Sequence, residues 1–140
     1  NTFQALPQFR DGTYFGYDIS KSMIDAARKN IQDPRAIFIN SHYATEKADY
    51  SFVSGTYNMK MAASDGEWQE YVKENLVQLW SKTRISLGFN MLNTQSPLRL
   101  RTLFYADPIY FVRFCKKYLS DKVRMIDLLH PNEFVILIRK

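Results

Sequence analysis

A single carboxylate in the stretch "YFGYDISKSMIDAARKN", residues 14–30, is the side chain best placed to do chemistry. Asp18 ends a short apolar run and precedes a helical pattern, the corner that faces the ligand crevice in an open α/β sheet. A carboxylate there can accept hydrogen bonds from both hydroxyls of a ribose, each worth roughly 1.5–3 kcal/mol to a charged acceptor. Its competing role is to cap the next helix, as Asp commonly does. Asn40, Ser41 and His42 close a second apolar run, "RAIFIN", and Ser54, Gly55, Tyr57 and Asn58 follow a third, "YSFVS". Gly55 permits a positive φ or a close backbone approach. Asn58 offers a polar side chain to orient a nucleophile, and His42 is the candidate base, against the plainer reading of an exposed loop histidine. Asn90 and Asn93 lie around a later run, and His130-Pro131-Asn132 reads as a turn. Cys115, the one cysteine, excludes an internal disulfide and a cysteine metal cluster, and reads as a small buried hydrophobe rather than a reactive thiol.

These residues need a frame, and the hydrophobic periodicity supplies one. A strand over residues 13–17 leads to a helix capped by Ser20 or Ser22, with Asp25 in its first turn and Met23, Ile24, Ala27 and Ile31 on one stripe. Strands follow over 35–40 and 50–54. Trp68, Tyr71, Val72, Leu76 and Leu79 recur at helical spacing. "RISLGFNML", 84–92, reads as a nearly continuous apolar strand covered on both faces. After a polar and basic loop over 93–106, Asp107-Pro108 starts a helix to about Leu119 that buries Ile109, Val112, Cys115 and Leu119. "VRMIDLL" and "FVILIRK" are joined by "HPNE", too short for a crossover, so residues 123–129 and 134–140 should pair antiparallel. The order is β-α-β-β-α-β-α-β-β, with no internal repeat and no low-complexity tract.

At 140 residues, 46% hydrophobic and 15% aromatic, the chain fits one globular domain over 1–140. No apolar run approaches the roughly 18 residues of a membrane span, and no signal peptide is evident, so a cytoplasmic protein is expected. Residues 71–140 hold 12 Lys/Arg against 5 Asp/Glu, while residues 1–70 hold 7 against 9. The surplus is scattered through Arg99, Arg101, Arg113, Lys116, Lys117, Lys122 and Arg124, which favours a solvated surface over a nucleic-acid footprint.

A terminal antiparallel strand on a mostly parallel sheet resembles the class I S-adenosylmethionine-dependent methyltransferases. "GYDISKSMIDAARKN" resembles the family's second strand, acidic tip and following helix. "AIFIN" is similar to its third strand, "ADYSFVSGTYN" to its fourth, "RISLGFNML" to its fifth and "VRMIDLLHPNEFVILIRK" to its closing pair. The resemblance covers nearly the whole chain and implies a three-layer Rossmann-like fold with S-adenosylmethionine as cofactor. It implies Asp18 at the ribose, Ile19, Ser20 and Met23 along the adenine and ribose side, and Ser41 near the adenine in place of an acid many relatives carry. Ser54 and Gly55 would lie by the methionine part of the cofactor, with Tyr57 and Asn58 toward the acceptor. Met23 fits the core stripe equally well.

The family's glycine-rich turn is not found: the glycines stand at 12, 16, 55, 66 and 88. "NTFQALPQFRDG" reads as the tail of the family's first helix, so the first strand is expected upstream of this chain or from a swapped partner. On that reading these residues alone are not a competent enzyme. Methyl transfer asks mainly for placement and exclusion of water, so a missing triad or metal cluster does not count against an enzyme. The expected activity is methyl transfer to a small-molecule acceptor. The alternatives are a degenerate methyltransferase fold serving as a binding or scaffold module, and a nicotinamide-nucleotide Rossmann protein, which places an acid at the same point.

Overall fold

The computed structural model describes residues 11–130 and 132–140. The expected helix tail before Asp11, and Pro131 of the expected turn, lie outside the described residues. The chain divides into two compact units, ending at Glu46 and beginning at Lys47.

In the first unit β1 (Tyr14–Asp18) and β2 (Ala36–Asn40) form a two-stranded parallel sheet joined by α1 (Lys21–Asn30). Ser20 is the N-cap and its hydroxyl accepts from the Met23 amide at 3.4 Å. Arg28 and Lys29 complement the dipole of the last turn. Arg28 also donates to the Phe38 carbonyl at 2.6 Å, which fastens the helix to β2. Gly16 stands opposite Phe38, where an added Cβ would come within 2.7 Å of the Phe38 ring. Its small size makes room for that ring. Two expectations fail here. The first turn of α1 holds no acid; Asp25 lies further in and pairs with Lys21 at 2.7 Å. The apolar stripe is also thinner than its spacing implies: Ile24 is buried, but Met23 and Ile31 are exposed.

The second unit contains β3 (Ala48–Val53), a 3-10 turn (Thr56–Asn58), α2 (Asp65–Lys82), β4 (Thr83–Asn93), β5 (Tyr105–Ala106), α3 (Pro108–Tyr118), β6 (Val123–His130) and β7 (Glu133–Arg139). Its strands run in the order β3-β4-β7-β6, with β5 paired to β4. β3, β4 and β5 are parallel, and β7 is antiparallel to both neighbours. The last strand therefore inserts between β4 and β6, and it pairs antiparallel with β6 as expected. β5 is the short strand that reading 93–106 as a loop missed.

Leu87, Phe89 and Met91 of β4 face Ile138, Ile136 and Phe134 of β7 across the ladder, and all six are buried. Val72 and Leu76 of α2 and Phe111, Phe114 and Cys115 of α3 close the same cluster. The capping box between Ser64 and Glu67 starts α2, and Asp107 with Pro108 starts α3. β4 corrects the expectation of a strand covered on both faces. Its apolar run alternates, with Ser86 and Asn90 only half-buried on the face opposite the core and Phe52 of β3 72% exposed over Gly88. α3 corrects a second: Ile109 is exposed, and the buried stripe is Phe111, Phe114 and Cys115, with Val112 and Leu119 packed at its margin. Two stripes fit the same periodicity, and the one with two phenyl rings removes more apolar area from water.

Candidate cofactor and acceptor sites

Parallel pairing of β1 with β2 puts Asp18 directly opposite Asn40, so both strands deliver polar residues to the same carboxyl edge. Asn40 Nδ2 donates to the carbonyls of Asp18 and Ile19, each at 2.9 Å, and the Ser41 amide donates to the Asp18 carbonyl at 3.1 Å. The backbone around the acid is thereby fixed from the neighbouring strand. The Ser20 amide donates to Asp18 Oδ1 at 2.7 Å and sets the orientation of the carboxylate. An ionised carboxylate accepts about four hydrogen bonds, so that single bond leaves it able to take more. Asp18 is also not the helix cap, because Ser20 is.

The other first-unit candidates fall into two kinds. Ile19 and Met23 are 63% and 59% exposed and flank the acid with apolar surface; Met23 is no core residue. Ser20 and Ser41 have hydroxyls engaged nearby: Ser20 Oγ with the Met23 amide and Ser22 Oγ, Ser41 Oγ with the amide and carbonyl of Tyr43. His42 is exposed, with its ring 6.5 Å from that of Tyr43.

In the second unit the carboxyl ends of β3 and β4 carry a connected set of amides. Gly55 has φ 76°, a left-handed conformation that costs an L residue roughly 1–2 kcal/mol. Its amide donates to Asn90 Oδ1 at 2.8 Å, and Asn90 Nδ2 donates to Glu133 Oε2 at 2.9 Å. Asn58 Oδ1 accepts from the Leu92 amide at 3.0 Å, and the Asn58 carbonyl accepts from the Phe104 amide at 2.8 Å. Asn93 Oδ1 accepts from the Gln95 amide, while the Asn93 amide donates to the Asn132 carbonyl. Asn58 and Asn90 thus hold the loop after β3 against β4, while Ser54 is exposed beside Gly55.

Tyr57 is a core residue, 1% exposed, with its hydroxyl donating to Asn75 Oδ1 at 2.7 Å. Burial raises its phenol above the ordinary tyrosine range, so it stays protonated. Burial likewise pushes the Cys115 thiol up to about 12, which keeps it unreactive. Sequence reasoning missed Glu133, the charged anchor of the Asn90 bridge. Its signal was an Asn interrupting the apolar run of β4 and an acid at the start of the last strand, two register positions away across the ladder.

A groove of about 700 Å³ lies between α2 and α3, with Lys73 and Phe114 in its wall. It sits on helix faces rather than at strand ends and is not a candidate site.

A protein of Mycobacterium tuberculosis, Rv1506c, provisionally named a methyltransferase, is 33% identical over 130 residues, covering 91% of this chain and 78% of its own. The chain belongs to the class I S-adenosylmethionine-dependent methyltransferase family. No family model matches it. The fold agrees with the assignment. An O-methyltransferase family protein from Burkholderia thailandensis superposes with a TM-score of 0.71 at 11% identity, over 99% of this chain and 47% of that one. Magnesium protoporphyrin IX methyltransferase from Synechocystis PCC 6803, with bound S-adenosylhomocysteine, superposes with a TM-score of 0.66 at 11% identity, over 91% of this chain and 64% of that one. The chain therefore spans less than two thirds of the length of these solved structures. S-adenosylmethionine is the cofactor of the family. Among the described residues no helix is long and apolar enough to cross a membrane.

Proposed function

We propose that the protein transfers a methyl group from S-adenosylmethionine to a small-molecule acceptor, with residues 1–140 belonging to its methyltransferase domain. The observation that carries this reading is Asp18, braced from β2 at the carboxyl edge of a parallel pair with acceptor capacity to spare. When bound, the cofactor supplies a methyl group on a positively charged sulfur, which passes to a nucleophile as the carbon–sulfur electron pair returns to sulfur.

This chain's residues bind and orient. Asp18 accepts from the two ribose hydroxyls, and Ile19 and Met23 give the nucleoside an apolar flank. Ser20 and Ser41 act mainly by shaping the turns that follow the two strands. Ser54 offers an exposed hydroxyl after β3, and Gly55, whose amide and carbonyl are bonded to Asn90 and Asn58, shapes the turn beside it. Asn58 acts as a positioning residue for its loop. His42 remains the candidate base in this reading, and Tyr57, buried and protonated, does not serve as one.

The test is calorimetric titration of the full-length protein with S-adenosylhomocysteine. Asp18→Ala should weaken binding about tenfold or more through loss of charge-assisted hydrogen bonds. Asp18→Asn should fall between the two. Equal affinity in all three proteins would remove Asp18 from the site, and tight binding of a nicotinamide nucleotide instead would overturn the reading.

A further inference from the structure

The loops leaving the carboxyl ends of β3 and β4 are zipped together. Met59 and Leu103 form an antiparallel bridge, and the Met61 amide donates to the Thr102 carbonyl at 3.0 Å. Met61 has φ 53°, a left-handed conformation that non-glycine residues adopt at a cost and that clusters at functional sites. Beside this zipper is a cavity of about 410 Å³ whose walls include Lys60, Met61, Arg99, Leu100, Arg101 and Tyr105. Its size falls in the small-ligand range of roughly 300–1,000 Å³, and open α/β sheets bind ligands outside strand carboxyl ends.

The charge of the cavity does not balance. Lys60 pairs with Asp65 at 2.7 Å, the one carboxylate in the wall. Among the described residues neither Arg99 nor Arg101 has a carboxylate within ion-pair distance. Arg99 lies 5.8 Å over the Tyr105 ring, and the Tyr105 hydroxyl accepts from the Leu100 amide at 3.0 Å. Stacking holds a guanidinium plane while leaving its edge donors open, which suits bidentate capture of an oxyanion. Met61 and Leu100, 62% and 64% exposed, put apolar surface next to those donors.

We infer that this cavity binds the methyl acceptor, and that the acceptor is a small amphipathic oxyanion: a carboxylate or phosphate ester on an apolar or aromatic body. Arg99 and Arg101 hold the oxyanion, while Met61 and Leu100 cover the body. The assignment as acceptor site rests on the methyltransferase reading; the anion site itself does not. A single-stranded nucleic acid would call for a basic track with successive aromatic platforms, whereas this cavity offers one stacked arginine, one free arginine and one aromatic ring.

Calorimetry with phenyl phosphate, benzoate, benzyl alcohol and a short oligouridylate tests the site, with S-adenosylhomocysteine titrated separately. One or both acids should bind, the neutral alcohol should bind at least about tenfold more weakly, and Arg101→Gln and Arg99→Gln should each cost the acids about tenfold. Arg101→Lys should recover only part, because it keeps the charge and loses the fork. The tighter acid assigns the oxyanion as phosphate or carboxylate. Acids that fail to saturate, acids indifferent to both substitutions, or arginine-dependent binding of oligouridylate alone would overturn the inference. A full-length protein that binds phenyl phosphate through these arginines but does not bind S-adenosylhomocysteine would sink the methyltransferase reading and leave the anion site standing.

Discussion

Among the described residues, fourteen buried side chains from β4, β7, α2, α3 and their connections form one cluster in the unit beginning at Lys47. The described residues up to Glu46 bury only Gly16, Ile24, Phe38 and Ala44. The larger unit has enough apolar area to stabilise a core, and its polar links mainly fix loops. The smaller one relies on a few directed bonds: Arg28 to the Phe38 carbonyl, Asn40 to two carbonyls, and the Tyr17 hydroxyl accepting from the Glu46 amide at 3.0 Å. Here the better-braced polar edge, around Asp18, belongs to the unit with fewer buried side chains among its described residues.

The largest expected effect is in the larger unit. Phe89→Ala should cost about 3–5 kcal/mol, the usual range for emptying a buried phenylalanine site, because Phe89 is 2% exposed in the central strand. Urea unfolding followed by tryptophan fluorescence measures it, since Trp68 and Trp80 both pack against that core. A loss under about 1.5 kcal/mol would mean the core can collapse around the gap.

A smaller effect should stay in the other unit. Gly16→Ala drives a methyl group into the Phe38 ring, and overpacking of this kind costs roughly 1–3 kcal/mol. Hydrogen exchange should quicken across β1 and β2 and change little in β4 and β7. Equal acceleration in both would show that the two units unfold together and would erase the contrast.

Asn90→Ala cuts the bridge from the Gly55 amide to Glu133. Leaving those half-buried groups unmatched should cost about 1–2 kcal/mol. The loop amides at 54–58 should exchange faster while the core stays protected. No change in the loop would show that Asn58 alone holds it.

The smallest effect is a pH dependence. Hydrogen bonds from the Arg35 side chain and then its amide hold Asp33 down to about 2. An ordinary aspartate titrates near about 4. A carboxyl lowered on folding contributes stability that is complete above its unfolded value and lost as pH falls through its folded one. The turn leading into β2 should therefore hold at pH about 4 and loosen as pH drops toward about 2, read from the Asp33 carboxyl resonance. A midpoint near about 4 would show that the Arg35 contact is absent in solution.

Sequence by itself determined the order of elements apart from the short β5, because period-two and period-3.6 patterns follow from backbone geometry alone. The cap at Asp107 and the hairpin of β6 and β7 were equally legible, and the first cap was narrowed to Ser20 or Ser22, since local hydrogen bonding and a short link admit few solutions. Asp18 was singled out by its place between an apolar run and a helix. Tertiary structure decided which of two competing stripes α3 buries, and that Tyr57 is core. It also decided that Asn58 and Asn90 hold a loop, and that Arg99 and Arg101 share a cavity with Lys60. Each depends on partners 18 to 43 residues away, as in the bonds from Tyr57 to Asn75 and from Asn90 to Glu133. Periodicity reports which face of an element is apolar; what meets that face is fixed only when distant segments pack.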